Sequence, residues 1–293
     1  MSGAVGTAGA AGAAGEFTVE EQVISVLAQI YRGQVIAVGA TVCADIATRL
    51  AKALYAPEIV LMAGGSMAGY DCAATPKALN DEWVASPSSV RGSDWIETFD
   101  LISAGKYAIC MGPVQVDRTG SCNISVLGDW RRPKVALIGA RGIPDDMVRL
   151  EELTFHVRRH TPRALVEKVD FRCGLGFGPE RDELGLTLGR PGMLVTDLGV
   201  FDFDEHGAGL RVRSLHAGVS FEQVQAATGF ELLAPSGKLP VTPPPTEAEL
   251  ACIRDEIDPL GVRRLDGPEA GPALLAELAE RERELFAIPG ARR

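Results

Sequence analysis

The chain lacks a long apolar run: its longest stretches, such as residues 59–63 and 135–138, fall far short of the roughly 20 residues that cross a bilayer. A membrane span is therefore excluded on length. Cations are also scarce, 29 Lys and Arg against 39 Asp and Glu for a net charge of −10. A sequence-independent grip on nucleic acid needs clustered Lys and Arg, so nucleic acid is not an expected partner. No Lys or Arg precedes Arg32 and no apolar h-region opens the chain. A secretory signal is thus not expected, and the cytoplasm is the expected compartment. The six cysteines (Cys43, Cys72, Cys110, Cys122, Cys173, Cys252) form no C-x-x-C and have no nearby His pair. Neither a zinc site nor a disulfide framework is signalled, and reduced, buried thiols are expected. Of the four histidines, His156 and His160 flank a basic strand end with Arg158 and Arg159, and His206 sits in an acidic turn. Solvated positions are expected for those three.

Glycine is abundant, 33 in 293 residues. Residues 1–16 place it at 3, 6, 9, 12 and 15 among alanines, the pattern of a disordered tail. Structure is expected from Thr18, whose spacing to Glu21 is a capping box opening a helix with Val23, Val26, Leu27 and Ile30 on one face. Strands are expected over 34–39, 59–63, 107–111 and 134–138, with helices over 43–55 and 94–104 and a polar loop over 64–93. This alternation predicts an α/β fold with an open, mostly parallel sheet and flanking helices. The second half is richer in strands, expected over 154–158, 164–171, 194–203 and 210–215, before a second capping box, Ser220 with Gln223. Residues 234–246 hold five of the 18 prolines and read as a linker closing a compact domain over 17–233. Beyond it, 247–293 is a helical extension. Thr246 with Glu249 caps one helix bearing Ile253 and Ile257, and Pro272 opens another bearing Leu274, Leu278 and Leu285. These stripes are expected to dock on the parent domain or a partner.

Several loops carry candidate chemistry. GGSMAG (64–69) nearly matches the G-x-S-x-G elbow, with Ser66 as nucleophile and Asp202 and His216 completing a triad. The alternative is a glycine loop that lets backbone approach a ligand or a neighbouring chain. GLGFG (174–178) invites a dinucleotide reading, but Pro179, Glu180 and Arg181 follow it in place of an apolar helix start, which favours turn glycines. MGPVQVDRTGSCNIS (111–125) is the densest polar constellation after a strand. Ligands bind at the carboxyl ends of parallel strands, so Gln115, Asp117, Asn123 and Ser125 are placed to line a site, unless Asp117 merely caps a turn. IGARGIP (138–144) closes the next strand and adds Gly139, Gly142 and the guanidinium of Arg141, suited to a carboxylate or a phosphate.

The stretch VTDLGVFDF (195–203) with LRVRSLHAGVSFEQVQAATGFEL (210–232), together with MGPVQVDRTGSCNIS and GARG, resembles the β subunit of family I coenzyme A transferases over roughly residues 17–266. The resemblance implies a NagB/RpiA-like sheet and an α subunit of the same family, as a heterodimer or an α2β2 heterotetramer. It also implies an acyl-CoA substrate in which coenzyme A is part of the substrate, with no permanently bound cofactor and no metal. In that family a glutamate in an E-x-G loop after an early strand attacks the thioester. Here the loop reads Ala63-Gly64-Gly65, and no acidic residue lies between Glu58 and Asp71. One branch, the steroid-ring-cleaving hydrolases of cholesterol catabolism, also lacks this glutamate and takes a carboxylate from the α subunit. By that resemblance this chain has no catalytic residue certain to be its own. Gln115, Asp117 and Asn123 support catalysis, while Gly64, Gly65, Ser125, Gly139, Arg141 and Gly142 meet the substrate. Two alternatives stay open: a covalent transferase using Glu58 or Asp71, and a non-catalytic scaffold subunit.

Overall fold

The structure, a computed structural model, describes residues 17–33, 36–62, 68–70, 78–79, 89–92, 95–235 and 237–285. The tail, the loop bearing Gly64, Gly65 and Ser66, Cys72 and Asp71 lie outside these residues.

Thr18 and Glu21 form the reciprocal capping box that starts α1 (Val19–Ala28). The chain then enters β1 (Ile36–Gly39), α2 (Val42–Leu54) and β2 (Val60–Met62). The stretch expected to be a polar loop contributes two strands, β3 (Ala68–Tyr70) and β4 (Ser89–Gly92), paired antiparallel onto β2. After α3 (Trp95–Ser103) comes β5 (Tyr107–Met111), at the bounds the sequence predicts. The short strands β6 (Gln115–Asp117) and β7 (Cys122–Asn123) follow, then the hairpin β8 (Val126–Leu127) and β9 (Val135–Ala136). Next are α4 (Ile143–Arg149), β10 (Glu152–Val157), β11 (Leu165–Val166) and α5 (Pro179–Glu183). A meander, β12 (Arg190–Thr196), β13 (Gly199–Phe203) and β14 (Leu210–Leu215), leads to α6 (Phe221–Ala226), then α7 (Glu247–Ala251) and α8 (Pro272–Leu285).

The main sheet has nine strands in the order β14-β13-β12-β10-β5-β1-β2-β3-β4. The five central strands, β12 to β2, are parallel, and antiparallel pairs extend both edges. Successive strand residues feed opposite faces. Ile36, Val38, Ile109, Leu194 and Phe201 enter one core, and Ala37, Cys110, Val195 and Val200 enter the other. On the second face α1 and α2 bury Ile24, Leu27, Ile46 and Leu50 completely, each worth about 1.5–3 kcal/mol of transfer free energy.

Three expected strands come out differently. Residues 134–138 are no member of the parallel sheet: Val135 and Ala136 are exposed and pair only with β8. The stretch 164–171 shrinks to Leu165–Val166, joined to β6 in a separate three-stranded sheet. The stretch 194–203 is two strands, because the chain reverses through Asp197 and Leu198 between β12 and β13. Length alone does not reveal a turn inside an apolar run.

The segment after α7 completes the second core with Cys252, Ile253 and Ile257. Ile253 and Ile257 are fully buried there, and Leu274 and Leu278 are also covered. Proline-rich residues lie along β14, with Leu215 N–H donating to Pro240 O and Thr242 N–H to Leu215 O. Buried Glu21 pairs with Arg254 at 2.7 Å and with Arg263 at 3.0 Å.

Candidate active site at the carboxyl edge of the sheet

The carboxyl ends of the parallel strands release Ala40 and Thr41 after β1, Gly112 to Val114 after β5, Arg158 to His160 after β10, and Asp197 after β12. Such an edge is where α/β sheets place their ligands. Gly112 passes so close over the turn after β1 that a Cβ there would lie 2.4 Å from Thr41 Cγ2.

On leaving β5 the chain builds a platform from the polar constellation. Gln115 and Asn123 face each other across β6 and β7, and Asn123 Nδ2 donates to Gln115 Oε1 at 2.8 Å and to Val126 O at 2.7 Å. Asn123 Oδ1 accepts from Ser125 N–H, and Gln115 Oε1 accepts from Asp170 N–H. Asn123 is fully buried. Asp117 Oδ1 accepts from Thr119 N–H, Thr119 Oγ1 and Ser121 N–H, which is the turn-capping geometry. Burial raises its carboxyl above the usual range, although those bonds oppose the shift. Ser125 Oγ lies 3.0 Å from Cys173 Sγ. Gln115, Asp117, Asn123 and Ser125 are thus brought together as the internal bracing of a loop.

Ser125 O also accepts from Leu137 N–H. The excursion between them closes on itself, and Gly139, Arg141 and Gly142 follow this closure. The loop therefore follows a β8–β9 hairpin and not, as expected, the end of a strand of the main sheet. Exposed Arg141 holds φ at +55°, a conformation uncommon for a side chain other than Gly, Asn or Asp. Behind it, a Cβ on Gly142 would sit 3.3 Å from Asp146 Oδ2. Burial, aided by Asp145, pushes the Asp146 carboxyl up to about 7. The sequence gives no hint of this, since an acid in a first helical turn is ordinary.

A second polar group was also unforeseen. His156 Nδ1 is 2.7 Å from Thr41 Oγ1 and 3.9 Å from Asp266 Oδ2. Asp266 also accepts from Cys43 N–H at 2.8 Å and meets Arg158 at 3.5 Å. His156 and His160, expected in solvent, are 3% and 5% exposed. Burial pulls both imidazoles down to about 4. The basic neighbours that suggested solvent are real, but β10 lies inside the sheet and carries His156 in with it, while His160, just beyond the strand, packs on Phe201 between Thr196 and Thr228.

The serine triad fails among the described residues. Asp202 gives its oxygens to Arg211 and Arg213 on the outer strands, whereas His216 is buried, with Nε2 on Thr196 O and Nδ1 without a partner. GLGFG follows no strand either. Its Cys122–Gly174 bridge and the five-residue α5 make it a turn. Among the described residues no helix is long and apolar enough to cross a membrane.

The model of the coenzyme A transferase family matches residues 20–227. The cholesterol ring-cleaving hydrolase IpdB subunit of Mycobacterium tuberculosis is 32% identical over 246 residues, covering 80% of this chain and 93% of that one. A subunit of the 3-oxoadipate CoA-transferase of Pseudomonas knackmussii is 30% identical over 212 residues, covering 71% and 81%. The crystal structure of Rhodococcus jostii RHA1 IpdAB superposes with a TM-score of 0.72 at 28% identity, over 86% of this chain and 98% of that one. With the family model spanning most of the sheet and its carboxyl-edge loops, the chain belongs to the coenzyme A transferase family.

Proposed function

We propose that this chain is the β-type subunit of a heteromeric acyl-CoA enzyme that hydrolyses a C–C bond in a steroid-derived cyclic β-oxo acyl-CoA, with the catalytic carboxylate supplied by its α-type partner. One observation carries the reading: from residue 59 to residue 70 the chain holds no acid, and the loop after β2 reads Ala63-Gly64-Gly65. Glu58 precedes β2 and so stands at its amino end, about 15 Å from the loop at roughly 3.3 Å per residue. Tyr70 pairs with Leu61, so β3 is already running back towards that end when it reaches Tyr70. The resemblance to the IpdB subunit supports the same reading.

In this mechanism the partner's carboxylate activates water, which adds to the β-keto carbonyl. The C–C bond breaks towards the thioester, leaving a carboxylate and a thioester enolate that takes up a proton. Arg141 and the loop amides stabilise the charge that develops on oxygen, and Gly64 and Gly65 leave the room that a nucleophile would fill. Gln115, Asp117 and Asn123 act behind them by holding the loop.

The test is reconstitution. The chain paired with its α-type partner should hydrolyse the cyclic β-oxo acyl-CoA, while neither subunit alone reaches that rate. Equal turnover by this chain alone would overturn the divided site. The similarity to a 3-oxoadipate CoA-transferase subunit favours a second reading, covalent CoA transfer. Trapping a glutamyl thioester on this chain with borohydride or hydroxylamine would establish that one instead.

A further inference from the structure

A buried acid stands behind the turn that the proposed mechanism gives to the substrate's oxygen. Asp146 is 4% exposed, and both of its carboxyl oxygens lie within 3.6 Å of the point where a Cβ on Gly142 would sit. No hydrogen bond or ion pair engages that carboxyl among the described residues. A buried carboxylate without a partner is strongly disfavoured, so burial favours the neutral acid. In front of it the turn is open. The N–H groups of Gly139, Ala140, Arg141 and Gly142 make no hydrogen bond among the described residues, and exposed Arg141 makes no ion pair there.

The surroundings do not offset a charge on Asp146. Asp145 precedes it and raises it further, while Arg149, one turn on, is committed to Asp145 and to Ser103 Oγ. Helix α4 packs against α3, β10 and β12. These carry Glu97 and Asp100, then Glu152 and His156, then Arg190. Glu152 pairs with Arg190 at 3.7 Å, and His156 turns to Thr41. Arg181, from α5, directs its guanidinium to the carbonyl oxygens of Leu175, Met147 and Leu188. The Cys122 thiol, from β7, lies within the field of Asp146 and is held protonated by burial. Among the described residues, the nearest uncommitted cation along the chain is Arg141, in the turn itself.

We propose that Asp146 is a positioning residue of the hydrolytic site and works only while protonated. The inference rests on the acyl-CoA reading above. Neutral, the carboxyl leaves the N–H groups of the turn and Arg141 to the oxygen on which charge develops. Ionised, it sets a full negative charge behind the same turn, where it competes for Arg141 and opposes charge on the substrate. That substrate charge exists in the transition state and not in the bound ground state, so the effect falls on kcat and not on KM.

The test follows kcat and KM of the assembled complex from pH 6 to pH 8. With the carboxyl at about 7, its protonated fraction falls from about ten elevenths to about one eleventh, so wild-type kcat should fall about tenfold while KM holds. Asp146→Asn, neutral at every pH, should lose this limb and change by less than about twofold across the range. Asp145→Asn removes the neighbouring charge that lifts the carboxyl and should move the limb to lower pH. A flat wild-type kcat, a limb carried by KM, or the same limb in Asp146→Asn would each overturn the proposal. Should Asp146→Asn fail to assemble, Asp145→Asn decides, and a limb that it leaves in place would overturn the proposal as well. A complex that transfers CoA without hydrolysing the ring substrate would refute the proposed function alone. Transfer also builds charge on the thioester oxygen, so the same profiles would then judge Asp146. A complex inactive in both reactions would overturn both.

Discussion

At the scale of single residues, three imidazoles set the acid limb of stability. Thr228 Oγ1 donates to Val224 O and so accepts from His160 Nε2, which leaves His160 Nδ1 to accept from Thr196 Oγ1. The ring is held neutral, and protonating it would break this pattern. His156, His160 and His216 are each lowered by burial from 6.5 to about 4. Between those values the unfolded chain binds more protons at these three rings than the native one, so their contribution to the unfolding free energy should rise with pH from 4 to 6.5, while Asp146, raised to about 7, contributes in the opposite sense up to that pH. Each group contributes at most about 3 kcal/mol. Urea melts across that range should show His160→Gln losing part of this rise relative to the wild type; identical pH profiles for the two would contradict the burial. Asn123 gives a second prediction at this scale. Asn123→Ala removes five hydrogen bonds inside the platform and should cost about 1–3 kcal/mol, with turnover of the complex falling as the loop loosens. Intact assembly with unchanged turnover would favour the scaffold alternative.

At the scale of elements, local chemistry explains most starts and stops. All three capping boxes read from the sequence, at Thr18, Ser220 and Thr246, form in the structure. The reason is that both partners lie within three residues and need nothing from the rest of the chain. The turn from β1 into α2 is equally local but tighter. A Cβ on Gly39 would lie 2.3 Å from the Ala44 carbonyl carbon and the Asp45 nitrogen. Gly39→Ala must therefore shift the helix start, and a loss of more than about 2 kcal/mol is expected, read as a fall in thermal midpoint. A variant as stable as the wild type would show that α2 can slide. What the sequence misjudged was membership. Residues 107–111 and 134–138 are similar short apolar runs, but only the first is flanked by β1 and β10. The second has β8 alone and stays exposed.

For the molecule as a whole, the C-terminal segment docks on the parent domain as its apolar stripes predict, and an ion-paired cluster joins it to α1. Glu21 is completely buried between Arg254 and Arg263, and these pairs hold its carboxyl below the usual range against the burial that raises it. Glu21→Ala would remove these pairs and the α1 capping box while Arg263 keeps Asp258 at 2.8 Å, and should cost about 1–3 kcal/mol. The urea midpoint of the full chain measures this, and a change under 1 kcal/mol would mean that the segment is held by its apolar contacts alone. Those contacts are substantial, since Ile253, Ile257, Leu260 and Val262 are all buried.

Read along the chain, the residues already specify the alternation that makes a mostly parallel sheet, the helix caps, the closing segment that marks the family, and the missing acid between Glu58 and Asp71. Each is carried by residues close together in the chain. Folding alone settles that His156 and His160 are buried, that Gln115 and Asn123 brace each other, that Asp202 and His216 do not meet, and that Asp266 returns across more than a hundred residues to His156. Burial and pairing of that kind depend on which strands flank a residue and which loops fold over it. Side-chain spacing along one strand carries no record of either.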